Sequence, residues 1–136
     1  MSAPARISVV VPVLEEAEEI RGFLDRMRAG GPHEIIVADG GSSDGTIELA
    51  REGADRVIVE PGGLALQLNR GAAAATGDVL LFPYADTRLP DGWPEAIDRV
   101  LTRSGVAGGA FRFRLAGSGL RYRLIEWGTR LRARGG

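Results

Sequence analysis

Glu34-Ile35-Ile36-Val37-Ala38-Asp39-Gly40-Gly41-Ser42-Ser43-Asp44-Gly45-Thr46 is the passage that decides the fold. Residues 34–38 form a short, largely β-branched run without polar alternation, the pattern of a parallel strand covered on both faces. The run breaks at Asp39 into a loop of glycines, serines and a second aspartate. Asp44 or Ser43 is placed to cap a helix beginning near Thr46. A strand, a glycine-rich turn and a helix in that order is the unit from which α/β domains are built.

The same unit recurs on either side. Upstream, Ile7-Ser8-Val9-Val10-Val11 reads as a buried strand stopped by Pro12. Residues 15–29 follow with Ile20, Phe23, Leu24 and Met27 at helical spacing, acids first and arginines last, an order that suits the helix dipole. Downstream come a strand over 56–60, a helix over 64–75, a strand over 78–82 and a helix over 93–103 with Pro94 in its first turn. Residues 109–115 alternate with period two, as a strand with one wet face does. Leu120, Leu124, Trp127 and Leu131 mark one stripe of an expected last helix. The order predicts an α/β sandwich with a mainly parallel sheet, whose ligands sit beyond the carboxyl ends of the strands. There are no internal repeats or linkers, so residues 1–115 read as the binding domain. Residues 116–136 read as a basic amphipathic helix of that same domain.

Composition narrows the function. The 136 residues carry a net charge of −1, so no overall field draws the chain to nucleic acid. All 17 cations are arginine, and seven of them lie between Arg112 and Arg134 with Glu126 the only acid. That tail could touch an anionic membrane, but packing on the parent domain is the favoured reading. With no cysteine and one histidine, thiolate and multi-histidine metal sites are excluded. The first apolar run is too short to span a membrane and no signal-peptide cleavage pattern follows, so a cytoplasmic setting is expected.

Three loops at the strand ends carry the chemistry. The first, 12–16, lacks both the dinucleotide fingerprint and a phosphate-binding lysine. It offers stiffened backbone groups to a base, or it is simply a strand end with helix-favouring acids. In the second, 39–45, Asp39 at a buried strand tip needs a donor for its carboxylate. That donor is either a nucleobase imino N–H or the backbone of loop 40–45 itself. The third, 83–90, carries Asp86, either a ligand for a hard divalent cation or a turn-initiating aspartate.

Taken together, these loops resemble the family 2 glycosyltransferases. Residues 9–16 look like that family's opening strand and Pro-Val-x-Asn-Glu turn, and residues 34–46 like its Asp-Gly-Gly-Ser-Ser-Asp-Gly-Thr motif. Asn69-Arg70-Gly71 through Phe82 resembles the helix and strand that lead to the metal motif. Tyr84-Ala85-Asp86 falls where the family has Asp-x-Asp or His-Ala-Asp. The resemblance covers about residues 6–115 and implies a GT-A-type, Rossmann-like three-layer sandwich. It implies a nucleoside-diphosphate sugar of UDP or GDP type as donor and a hydroxyl as acceptor, with no covalent enzyme intermediate. By the same resemblance Pro12, Val13 and Glu16 contact base and ribose, and Asp39 binds the base imino group. Asn69 joins them among the substrate-binding positions. Asp86 holds Mn²⁺ or Mg²⁺ against the diphosphate, where the cation stabilises the leaving group.

The chain also departs from the pattern. Glu15 stands where the family has asparagine, and Tyr84 replaces the first acid of the metal motif, a poor cation ligand at neutral pH. Leu64 and Leu66 occupy a loop where this branch offers arginine. Family members run on past the point where this sequence ends, and that region supplies the acceptor site and the general base. The expectation is therefore a truncated member with no assignable catalytic base, self-associating through the stripe of its last helix. The rivals are a catalytically incomplete nucleotide-binding or assembly subunit, and a nucleotidyltransferase. The latter is disfavoured because no Gly-rich, lysine-bearing loop follows the first strand.

Overall fold

The computed structural model describes residues 4–101, 109–114 and 122–130. In chain order the elements are β1 (Ile7–Val13), α1 (Ile20–Ala29), β2 (Glu34–Asp39), α2 (Thr46–Gly53), β3 (Arg56–Val59), α3 (Leu64–Ala74), β4 (Val79–Phe82), α4 (Trp93–Leu101), β5 (Gly109–Arg114) and β6 (Tyr122–Arg130). One sheet runs β3-β2-β1-β4-β6-β5. The first four strands are parallel, as their apolar runs predict. β6 then runs antiparallel to β4, and β5 antiparallel to β6.

Alternate strand residues feed two layers. Val9, Val11, Val13, Ile35 and Val37 pack with Ile20, Phe23, Leu24 and Met27 of α1, Ala50 of α2, and Trp93, Ile97 and Leu101 of α4. Val10, Ile36 and Leu80 face the other way, against Ala72 and Ala74 of α3 and Ala75 just beyond it. Each fully buried aliphatic or aromatic side chain contributes about 1.5–3 kcal/mol. The α3 layer is thin because its contact residues are alanine and glycine. Gly71 rides so close to β1 that a Cβ there would overlap the Val10 side chain.

Two boundaries differ from the sequence reading. β1 continues through Pro12 to Val13, with Pro12 opposite Ala38. Pairing with β4 stops at Val9, so β1 is locally an edge where a missing N–H is tolerated. Helix α1 starts at Ile20 instead of residue 15, which leaves Glu15, Glu16, Glu18 and Glu19 in the connection before it.

The largest correction concerns the C-terminal segment. Residues 122–130, expected within a helix over 116–136, form strand β6. The open edge of β4 offers a row of backbone donors and acceptors, and satisfying it outweighs a helical spacing of leucines. The residues expected to carry the helical stripe at 124 and 127 thus lie in a strand. Leu120 and Leu131 lie outside the described residues, as do the ends of that expected helix.

Candidate active site

The parallel strands deliver the first two loops side by side. Gly40 N–H donates to the Val13 carbonyl at 2.9 Å, joining the end of β1 to the turn after β2. Glu15 N–H donates to Ser42 Oγ at 2.8 Å, Glu16 N–H to Thr46 Oγ1 at 2.9 Å and Ala17 N–H to Asp44 Oδ2 at 3.2 Å. The Glu15 carboxylate returns the contact by accepting from Ser43 N–H at 2.5 Å. Glu15 holds this position at φ 54°, in the left-handed region that a non-glycine residue other than asparagine or aspartate seldom adopts.

Asp39 is 0% exposed. Its Oδ1 accepts from Gly41 N–H at 2.7 Å and Ser42 N–H at 2.6 Å, and its Oδ2 accepts from Ser42 Oγ at 2.8 Å. A buried carboxylate must be compensated, and its own loop supplies the donors. Asp39 therefore does cap its loop, with one oxygen held by a single, rotatable hydroxyl. Asp44 caps locally in the same way, accepting from Thr46 N–H at 3.1 Å and from the Thr46 hydroxyl. These bonds, the Thr46 hydroxyl first, lower its pKa.

Gln67 is a participant that the sequence reading missed. It is buried on α3, and its Nε2 donates to the carbonyls of Ala38 at 2.9 Å and Val13 at 3.2 Å, clamping the ends of β1 and β2 from the opposite layer. The available clue was a polar residue four positions before Gly71, hence on the same, sheet-facing side of the helix. Asn69 lies two positions further on and is exposed. Among the described residues, no hydrogen bond ties it to the three loops.

Pro12 and Val13 are buried in β1, and the Val13 carbonyl is already doubly engaged. Leu14, 56% exposed, is the first open position of that loop. Leu64 and Leu66 are exposed at the start of α3, so this rim presents apolar surface where a cation was the expectation from the resemblance.

The third loop joins the first by charge. Thr87 N–H donates to the Tyr84 carbonyl at 3.0 Å, a turn that buries Ala85 and Thr87 and leaves Tyr84 and Asp86 exposed. Burial raises the pKa of Glu16, and the charges of Asp86, Glu19 and Asp44 raise it further. Glu16 and Asp86 thus share one field, although they are 70 residues apart. Among the described residues, no three His, Cys, Asp or Glu side chains gather to hold a metal by themselves. The donor set suits a cation that takes one or two carboxylates and completes its shell with substrate oxygens. The backbone of Glu126 pairs with Phe82, at the carboxyl end of β4 beside this loop. The helical spacing of its neighbours had placed that residue on a helix instead.

A strand-loop-helix order, an Asp-Gly-Gly turn and a third-loop aspartate on this topology match a known pattern. The model of the family described as "Glycosyl transferase family 2" matches residues 8–135. The chain belongs to that family. Among curated relatives, glycosyltransferase AglJ of Haloferax volcanii is 35% identical over 100 residues, covering 72% of this chain and 31% of its own. The undecaprenyl-phosphate 4-deoxy-4-formamido-L-arabinose transferase of Pectobacterium carotovorum is 36% identical over 110 residues, covering 70% and 32%. Among solved structures, the mannosyltransferase PcManGT of Pyrobaculum calidifontis, in complex with GDP-Man and Mn²⁺, superimposes with a TM-score of 0.76 at 22% identity, over 99% of this chain and 48% of its own. Glucosyl-3-phosphoglycerate synthase of Mycobacterium tuberculosis, in complex with Mn²⁺, UDP and glucosyl-3-phosphoglycerate, gives 0.65 at 30% identity, over 76% and 42%. The chain spans about a third of the length of these curated relatives and under half of either structure. The fold is the GT-A glycosyltransferase fold. No helix among the described residues is long and apolar enough to cross a membrane.

Proposed function

We propose that this chain supplies the donor half of a glycosyltransferase, binding a nucleoside-diphosphate sugar of UDP or GDP type for transfer to a hydroxyl acceptor. The observation that carries the reading is the convergence of loops 14–17, 39–46 and 83–87 at one sheet edge, where Asp86 raises the pKa of Glu16. Family membership and the nucleotide and Mn²⁺ in the synthase structure support it. Asp39 receives the base imino group, Glu16 faces the ribose, and Asp86 holds a divalent cation, Mn²⁺ or Mg²⁺. A cation bound there stabilises the departing diphosphate as a Lewis acid. Glu16 and Asp86 set the local charge that favours its entry. Gln67 fixes the strand ends from which the first two loops leave.

The test is calorimetric titration of UDP, GDP and AMP with Mn²⁺ and with EDTA. UDP or GDP binds more tightly than AMP, and Mn²⁺ strengthens the binding. Asp86→Ala removes the Mn²⁺ gain, and Asp39→Asn weakens binding by about 1.5–3 kcal/mol, a charged hydrogen bond. Equal affinity in Mn²⁺ and EDTA would remove the cation from the reading. Equal affinity for all three nucleotides would remove the base site.

A further inference from the structure

Resting on the donor reading, we infer that the Ser42 hydroxyl is a built-in stand-in for the nucleobase, and that the base binds by displacing it. The hydroxyl does two things at once. It donates to Asp39 Oδ2 at 2.8 Å and accepts from Glu15 N–H at 2.8 Å. A donor and an acceptor side by side are what the imide edge of uracil presents, a ring N–H flanked by carbonyls. The lactam edge of guanine presents the same pair. Adenine and cytosine have no hydrogen on the equivalent ring nitrogen, so that nitrogen cannot take over the hydroxyl's role as donor to Asp39.

The burial of Asp39 makes the displacement necessary. With the residue 0% exposed, no base reaches Oδ2 while Ser42 covers it. The remainder of the site is arranged to stay in place when Ser42 turns. Oδ1 keeps its bonds from Gly41 N–H and Ser42 N–H, and Gly40 N–H remains on the Val13 carbonyl. Gln67 still clamps Val13 and Ala38. Only a single side-chain torsion and the Glu15 N–H change partner, and a base carbonyl supplies the new acceptor. Glu15, held at φ 54°, keeps that N–H aimed between the two loops. Ser42 is therefore a specificity-determining residue: it sets the hydrogen-bond pattern that an incoming base must reproduce.

The experiment titrates UDP against N3-methyl-UDP, and GDP against N1-methyl-GDP, with Mn²⁺ present, on the wild-type chain, Ser42→Ala and Ser42→Thr. In Ser42→Ala, Oδ2 and the Glu15 N–H are left waiting for the base. UDP or GDP then binds about three- to tenfold more tightly, the worth of one or two net hydrogen bonds. The methylated partner gains less, so the affinity ratio widens. Ser42→Thr keeps the hydroxyl and the wild-type ratio. A ratio that is unchanged or narrower in Ser42→Ala overturns the inference, as does an equal change in Ser42→Thr, which would mark simple loosening of the loop. If the wild-type chain binds the methylated and unmethylated nucleotides equally, the inference falls while the donor reading stands. If no nucleotide binds with Mn²⁺, both fall together.

Discussion

The two edges of the parallel sheet are both polar and both partly buried, yet they settle their charges in opposite ways. At the amino edge, Glu34 accepts from Ser8 Oγ and Thr76 N–H, each at 2.6 Å, and from Thr76 Oγ1 at 3.1 Å. Ser8 Oγ in turn accepts from Gly77 N–H at 2.8 Å, and Arg6 pairs with Asp78 at 3.1 Å. Burial works against the Glu34 carboxylate, but the Ser8 hydroxyl and the two Thr76 donors more than offset it, and the pKa falls below the ordinary value. At the carboxyl edge, burial raises the pKa of Glu16, and its neighbours Asp86, Glu19 and Asp44 add repulsion. One edge is satisfied by the chain itself. At the other, burial and like charge act on Glu16 in the same direction.

The largest expected effect is steric. A Cβ on Gly77 would lie 2.6 Å from both the Arg6 carbonyl and Ser8 Oγ, so Gly77→Ala forces backbone apart at the amino edge. Overpacking of that kind costs about 1–3 kcal/mol, and the rigid neighbours favour the upper end. A Cβ on Gly40 at the carboxyl edge meets only the end of the Gln67 side chain, at 3.2 Å. Gly40→Ala should cost about 1 kcal/mol, less than Gly77→Ala, because a 3.2 Å contact is relieved by a far smaller shift than a 2.6 Å one. Urea unfolding of both variants measures the difference. A Gly40→Ala cost equal to that of Gly77→Ala would mean the carboxyl edge is as closed as the amino edge.

Next in size is the electrostatic contrast. Glu34 is depressed in the folded chain, so its stabilisation is complete above the unfolded carboxyl pKa and is lost as pH falls through the folded value. Glu34→Gln should destabilise at pH 7 by about 1 kcal/mol, a charged hydrogen bond discounted for partial exposure, and should flatten the acid limb of stability against pH. Glu16 has the opposite sign. Its raised pKa means that ionisation disfavours the folded state, a penalty present at neutral pH and relieved as pH falls through the folded value. Glu16→Gln should therefore stabilise the nucleotide-free chain, by less than about 1 kcal/mol after solvent screening, while weakening the Mn²⁺ effect on nucleotide binding. Thermal melts at pH 7 and pH 4 separate the two signs, and the same sign for both variants would erase the contrast between the edges.

These edges differ in how far they can be read from sequence. The apolar runs at 7–11, 34–38 and 78–82 state the parallel sheet outright, because a strand buried on both faces has no alternation to hide it. Asp39, Asp44 and Asp86 stand out as acids just beyond those runs. The linkage of Glu15, Ser42 and Ser43 is harder to see, since it joins residues 27 or 28 apart through backbone atoms that carry no residue-type mark. Gln67 binds carbonyl groups, which every residue possesses. The pattern misleads at β6 because Leu124 and Trp127 satisfy a helical spacing, while the demand for a strand comes from the open edge of β4, more than forty positions away. Propensity yields to such tertiary demand.

The smallest expected effect tests whether the carboxyl-edge linkage depends on the residue at position 15 or on its backbone. Glu15 sits at φ 54°, a conformation that costs an ordinary L-residue on the order of 1–2 kcal/mol. Its carboxylate offsets part of that by accepting from Ser43 N–H at 2.5 Å. Asparagine, which the family resemblance puts at this position, tolerates the left-handed region and keeps a side-chain oxygen acceptor, though on a shorter reach. The strain relieved and the bond weakened are of similar size, so Glu15→Asn should change stability by no more than about 0.5 kcal/mol. Glu15→Val retains the strain, adds β-branching and loses the acceptor, and should cost about 2 kcal/mol or more. Equilibrium unfolding of the pair decides the matter. If valine is tolerated as well as asparagine, the left-handed backbone at position 15 is not what holds the two loops together.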